Sequence, residues 1–314
     1  MAVYILRRIG SMMPLVLIVV TSLFFLMRTG GIGDPASVIL GQEGTEEAIQ
    51  ALNERLGVSR PLWVQYIEYV TNLFQGDLGK SLLRGTSIKL ELARVLPYTL
   101  ELTLGSVLIG LMLGIPMGVF AAVHHNSIAD HVIRVGTILT RCMPTFVLAL
   151  VFLVVFAAKL HWLPILGGGQ RGNLPDILRH LVLPTVTLVF PIAAAFARVV
   201  RATFLDVMNE DYVRTARAKG VHEKTVKYKH ILRNCLSATI TIAGLSVVAL
   251  IGNGVLIENI FARPGIGKLF VTAVLGSDYT VVQSVILVYT GIVILVNFAV
   301  ELSYAFVDPR IRYD

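Results

Sequence analysis

Charge is scarce in this chain. Of its 314 residues only 15% are Asp, Glu, Lys or Arg, while 55% are hydrophobic. A soluble domain carries roughly a quarter charged residues, so lipid is the expected solvent and an ordinary water-soluble domain is excluded. Cysteine is almost missing as well. Cys142 and Cys235 are the two present, both at the expected inner side of their helices, which excludes a disulfide framework and leaves a packing role. Nor is there a soluble basic domain that could apply the net charge of +7 to nucleic acid. The excess is read instead as topological, because Lys and Arg collect in cytoplasmic loops.

Long apolar runs are what the sequence has in quantity. A span of the hydrocarbon core needs about 20 apolar residues. Six stretches qualify, at roughly 9–28, 98–123, 135–158, 181–203, 236–257 and 281–306. The first follows Arg7 and Arg8 like a signal peptide but ends on Phe24-Phe25-Leu26-Met27-Arg28 without a small-x-small cleavage site, so it is read as a retained helix. Pro14, Pro116, Pro144, Pro184 and Pro191 fall within or beside these runs, where neighbouring helices can satisfy the freed carbonyls, and kinks around a cavity are expected.

Loop charge sets the orientation. With the N-terminus inside, the inner segments hold Arg7, Arg8, Arg134, eight Lys/Arg between 201 and 235, Arg310 and Arg312; the short outer loops hold Lys159, Arg171, Arg179, Arg263 and Lys268. The excess places both termini in the cytoplasm. The chain divides into 1–28 (start and first span), 29–96 (an outer insertion), 97–307 (the remaining spans, with an inner loop at 201–235) and a tail at 308–314. In the insertion, Glu46 to Leu56 has helical character, and Pro61-Leu62-Trp63-Val64-Gln65-Tyr66 opens a second amphipathic helix.

The inner loop at 201–235 is the most informative segment. Its basic part, Lys224 to Arg233, is explained by topology alone. The stretch before it reads Glu210, Asp211, Tyr212, Val213, Arg214, Thr215, Ala216, Arg217, Ala218, Lys219, Gly220. Asn209 is expected to cap a short helix with Glu210 and Asp211 in its first turn, at the positive end of the dipole. Ala216 and Ala218 keep that helix slim and Gly220 ends it in a left-handed turn, followed by a second helix over 222–234. A short knob of this kind suits a groove on another protein.

The order of residue types here resembles the permease subunits of ATP-binding-cassette importers, in particular the dipeptide, oligopeptide, nickel and glutathione group. The general coupling-loop pattern is E-A-A, three residues, G, nine residues, I-x-L-P. Counting from Gly220, its E-A-A places are Arg214, Thr215 and Ala216, and its final Leu and Pro fall on Leu232 and Arg233. The peptide-group form D-Y-x-R-T-A-R-A-K-G is met from Asp211 through Gly220. Further similar blocks are Tyr4–Arg8 with Gly33-Asp34-Pro35, Leu56-Gly57-Val58 with Arg60-Pro61-Leu62, Gly76-Asp77-Leu78-Gly79 with Ser81, Glu258–Phe261 with Pro264–Gly267, Asp278-Tyr279, and Asp308–Arg312. Position 263 is Arg where Trp is frequent among relatives, and no function is attached to it.

The resemblance implies an all-α membrane protein of the type I ABC importer permease fold, with six transmembrane helices and a small helical extracytoplasmic insertion after the first. It also implies a multi-pass place in the bacterial inner membrane. The chain would pair with a second, homologous permease subunit, with two ABC ATPase subunits on the coupling helix at 210–220, and with an extracytoplasmic solute-binding protein. It would have no enzyme activity and no cofactor of its own, ATP and Mg being held by the ATPases. Short peptides are the expected cargo, with nickel chelates or glutathione as the alternative.

Other functional classes find less support. A secondary transporter or channel calls for inverted repeats or a midplane ion site, and the sequence has neither sign. Gly265-Ile266-Gly267-Lys268 resembles part of a phosphate loop, but Ala262 and Leu269 stand where Gly and Ser or Thr are required. Gly31-Ile32-Gly33-Asp34 matches the G-x-G-D of intramembrane proteases without the second intramembrane Asp that chemistry needs. His124, His125, Asp130 and His131 form a metal-like cluster on the wrong side for delivered metal, and are read as solvated or structural. Glu101, Arg141, Arg198, Glu258 and Glu301 lie in or at the edge of spans, where charge is costly. Of these, Glu101 and Arg141 are nominated for the translocation pathway.

Overall fold

With water removed, a backbone must satisfy its hydrogen bonds within each segment, and apolar sequence in lipid therefore becomes helix. The computed structural model describes residues 2–29, 35–41, 44–57 and 59–307. In chain order the helices are α1 (Ala2–Thr29), α2 (Pro35–Leu40), α3 (Glu46–Leu56), α4 (Leu62–Phe74), α5 (Ile88–Val123), α6 (Ile128–Cys142) and α7 (Thr145–Phe152), the last continued by a π-helical turn, Leu153–Lys159. There follow α8 (Leu174–Met208), α9 (Asp211–Ala218), α10 (Glu223–Thr225), a π-helical turn Val226–Ile231, α11 (Leu232–Ile260), α12 (Ile266–Leu275) and α13 (Tyr279–Val307). Gly33, Asp34, Val58 and the block Asp308–Arg312 lie outside the described residues.

Among the described residues five helices are long and apolar enough to cross a membrane: Met12–Thr29, Ile88–Val123, Leu174–Met208, Glu223–Ile260 and Tyr279–Ser303. The sixth expected span, 135–158, differs. It is a broken pair, Ile128–Cys142 and Thr145–Lys159, bent by 93°. The cause is local: Pro144 crowds the residue before it out of the α region, and Met143 is extended at φ −87°, ψ 120°. Of the five prolines, Pro144 alone marks a break; α1, α5 and α8 run on through Pro14, Pro116, Pro184 and Pro191. The helix expected over 222–234 leads into the fifth span as anticipated, and the two run on as one candidate span, Glu223–Ile260, through the π turn.

Two compact units are distinguished, Met1–Pro97 with Pro264–Ile294, and Tyr98–Arg263 with Leu295–Asp314. In the first, both helices expected in the insertion are present. Thr45 caps α3 by accepting from Ala48 N, and α4 lays Tyr66 and Tyr69 against the buried ring of Phe24. Arg28 donates to Gln65 Oε1 at 2.6 Å, and Tyr66 shares a 2.7 Å hydrogen bond with Thr21. Ser81 donates to the buried carboxylate of Asp278, which also accepts from Leu82 N. That contact joins the Gly76–Ser81 block to the Asp278-Tyr279 block.

In the second unit α8 is the hub. Gly110, Gly114 and Gly118, one turn apart on α5, face it. A Cβ on Gly114 would stand 2.6 Å from Phe196 Cβ and 2.7 Å from the Ala193 carbonyl oxygen; one on Gly118 would stand 2.6 Å from the Ala197 oxygen. Such a stripe allows two backbones to approach where no hydrophobic force separates helix from lipid. At the far edge, Asp130 at the start of α6 is buried and receives Arg201 of α8 twice, at 2.6 and 2.7 Å.

Gly114→Val is expected to lower the melting temperature of the detergent-purified protein by several degrees, since overpacking against backbone costs about 1–3 kcal/mol. Gly136→Ala, with nothing within 4 Å, should leave it unchanged. Equal melting of the two variants would contradict the close-packed stripe.

Candidate functional site

The segment singled out in the sequence, 210–220, forms α9 and its caps. The expected cap does not form: Asn209 closes α8 at φ −92°, ψ −3°, and its Nδ2 donates back to Leu205 O at 3.0 Å. Already committed to the preceding helix, Asn209 cannot start the next one. Glu210 takes the N-cap place in an extended conformation, and its carbonyl, not its side chain, accepts from Val213 N and Arg214 N. Asp211 remains in the first turn, favourable at the positive end of the helix.

The far end follows expectation. Gly220 has φ +74°, its N–H reaches Arg217 O, and Val221 N reaches Ala216 O. These are the paired bonds of a Schellman stop. The space around a Gly220 Cβ is open, so a side chain there is opposed by backbone strain and not by a clash.

Burial divides α9 into two faces. Val213 is fully buried with Val119, Val200, Phe204, Val226 and Ile231, and Ala216 packs against the same cluster. This one contact ties α9 to α5, α8 and the start of the fifth span, and burying Val213 is worth roughly 2 kcal/mol. Two polar contacts reinforce it: Tyr212 OH accepts from Asn234 Nδ2 at 2.7 Å, and Arg217 reaches both oxygens of Glu223 at 3.0 and 3.2 Å. Asp211, Arg214, Thr215 and Ala218 are exposed, and their i, i+3, i+4, i+7 spacing puts them on one outward stripe. Lys219 is exposed as well. Ala216 therefore anchors the helix, where the sequence suggested that it thinned an outer surface.

The residues nominated for the pathway separate. Glu101 accepts from Arg171 at 2.6 Å on one oxygen and from Arg263 at 2.7 Å on the other. Arg171 lies 3.7 Å above the centre of the Tyr98 ring, Arg263 Nε donates to Tyr98 O at 3.2 Å, and Thr99 donates to the neighbouring buried Glu258 at 2.6 Å. Arg141 is exposed at the end of α6, and among the described residues no hydrogen bond or ion pair joins it to Glu101. Of the metal-like cluster, Asp130 is taken by Arg201, while His124 and His131 bond the carbonyls of Phe120 and Ser127. Gly265 is the extended N-cap of α12.

Arg263 is the residue that sequence reasoning missed. Among the described residues it is the largest fully buried side chain, with 0% exposure, in the turn between α11 and α12. Burial pushes its pKa below the ordinary value and the carboxylates of Glu101 and Glu258 oppose that; a guanidinium keeps its proton regardless. The departure from Trp at this position was the available signal, since a charge in place of an indole at a buried turn demands a partner.

Over residues 114–313 the sequence matches the family described as binding-protein-dependent transport system inner membrane component. Residues 1–103 match the N-terminal part of such membrane components. The chain is 36% identical over 315 residues to the "Probable peptide ABC transporter permease protein y4tP" of Sinorhizobium fredii, covering 100% of both. It is 37% identical over 332 residues to the "Di/tripeptide transport system permease protein DppB" of Pseudomonas aeruginosa, covering 99% of this chain and 98% of the relative. It is also 37% identical over 310 residues to the "Glutathione transport system permease protein GsiC" of Escherichia coli, covering 99% of each. In fold it is similar to the inward-facing MetNI methionine ABC transporter, with a TM-score of 0.56 at 20% identity over 69% of this chain and 96% of that one.

Because Arg263 is wholly buried and Arg171 is 43% exposed, Glu101→Gln should destabilise the purified protein more than Arg171→Gln. The first strands a buried cation, whereas the second removes a partly solvated one. Thermal melting in detergent distinguishes them, and a smaller loss for Glu101→Gln would contradict the assignment.

Proposed function

The chain belongs to the family of binding-protein-dependent transport system inner-membrane components, and from that premise we propose that it carries short peptides and takes its drive through α9. As a family member it is the transmembrane subunit of an ABC importer in the bacterial inner membrane and is not itself catalytic. The finer reading gives it a second, homologous permease as partner, two cytoplasmic ATPases that hold ATP and Mg, and an extracytoplasmic binding protein that delivers cargo. Both termini are cytoplasmic, and α9 docks the ATPase.

The observation that carries the docking role is the division of α9 into an anchored face and an exposed one. Val213 and Ala216 hold the helix to α5, α8 and the fifth span, while Asp211, Arg214, Thr215 and Ala218 face outward with nothing built over them among the described residues. A displacement applied to the exposed stripe must pass through Val213 into three membrane helices at once, because a close-packed cluster moves as a body and does not absorb the shift. ATP-driven closure of the ATPases would then favour one state of the helices over the other through these contacts. Peptide cargo is supported by the relatives, which include a probable peptide permease, a di/tripeptide permease and a glutathione permease; glutathione is itself a tripeptide, and nickel chelates are the remaining alternative.

The docking role is tested by Arg214→Glu with Thr215→Glu, assayed in the transporter co-expressed with its companion subunits. Both positions are exposed, so the melting temperature should hold while cargo-stimulated ATP hydrolysis and uptake fall at least about tenfold, the equivalent of 1.4 kcal/mol of interface. Wild-type uptake and stimulated hydrolysis in this variant would remove the docking role. Cargo is decided by titrating the cognate binding protein in a calorimeter: di- and tripeptides should bind, and binding of a nickel chelate alone would overturn the peptide reading.

A further inference from the structure

The basic residues that open the fifth span are accounted for by topology, yet two of them border a groove. The groove has a volume of about 830 Å³, and Ile115, Val119, Phe120, Ile133 and Leu232 are among its apolar walls. Lys224, Lys227 and His124 also line it. These polar residues gather at one end of the groove. His124 follows the last residue of α5, and Lys224 and Lys227 lie in the first turns of the fifth span, one turn apart on one side. From Ile115 to His124 the groove follows α5 for about 14 Å at 1.5 Å per residue, close to half of the roughly 30 Å hydrocarbon core.

We propose that this groove is a binding site for an anionic glycerophospholipid, an acyl chain lying along α5 and the phosphate held by Lys224 and Lys227. The groove's residues include no carboxylate. Glu223, the acid next to Lys224, has both oxygens engaged by Arg217. Neither lysine is ion-paired among the described residues, and Tyr228, 61% exposed at the same end, adds a hydroxyl donor. His124 Nδ1 donates to the Phe120 carbonyl, which leaves Nε2 as an acceptor for a headgroup hydroxyl. A neutral lipid or an apolar helix could fill the walls, but neither would use the two ammonium groups. A phosphodiester with no headgroup cation of its own to neutralise it uses both. Val119 and Leu232 line the groove and also pack in or against the cluster that buries Val213, so an occupied groove braces the base of α9.

The test uses the complete transporter, delipidated in detergent and titrated with phosphatidylglycerol or phosphatidylcholine under native mass spectrometry. Wild type is expected to retain phosphatidylglycerol in preference to phosphatidylcholine. Lys224→Gln with Lys227→Gln should weaken phosphatidylglycerol at least about fivefold, from the attraction of each lysine to an anionic lipid surface. Lys229→Gln with Arg233→Gln removes the same charge from the same basic stretch outside the groove, and should leave it unchanged. Equal weakening by the two pairs, or equal retention of the two lipids by wild type, would overturn the site. A photo-crosslinker in place of Phe120 supplies an independent reading: adducts to lipid are expected, and capture of the second permease subunit would show that a protein helix fills the groove.

Discussion

Eight residues of helix do not hold themselves together in water, because nucleation costs more than so few hydrogen bonds return. α9 is held because Val213 and Ala216 pack into an apolar cluster shared with α5, α8 and the fifth span. The position of α9 depends on that packing. It decides which stripe faces outward, and in the role we propose it makes the helix a lever whose motion is passed to the spans. It also puts the neighbouring lipid-sized groove in contact with the same side chains.

Two buried ion pairs show how this chain uses its few charges. Asp130 is wholly enclosed and its two oxygens are met by Arg201, which binds the start of α6 to α8. At the other pair the enclosed partner is the cation, Arg263, and the half-solvated Glu101 serves two guanidinium groups at once. In lipid surroundings a buried charge is retained only with a partner at bonding distance. Both pairs join elements far apart in sequence, so each fixes a helix end where apolar packing alone would let it slide.

Much of this was legible in the residues. Apolar runs located the spans, since a run of about 20 residues in lipid has no alternative to helix. Gly220, with its left-handed stop, and the helix Glu46–Leu56 were visible because helix ends and helical character are written in local residue types, whereas the Thr45 cap was found in the structure. What escaped the reading depends on partners. Asn209 could cap either of two helices, and only the path of α8 decides which. The 93° bend at Met143-Pro144 was hidden because four other prolines in similar runs leave their helices continuous. Arg263 looked like an ordinary loop charge until Glu101 was brought to it from 162 residues away. The glycine stripe on α5 has meaning only once α8 lies against it.

The central claim is that the outward stripe of α9 meets the ATPase subunit. Site-specific photo-crosslinking in the intact transporter tests this most directly, with the reactive group at Arg214, at Thr215, and at the exposed Trp162 between α7 and α8 as control. Adducts to the ATPase subunit from 214 and 215, and none from 162, are the predicted result. Absence of ATPase adducts at 214 and 215 in a complex that imports cargo would contradict the account.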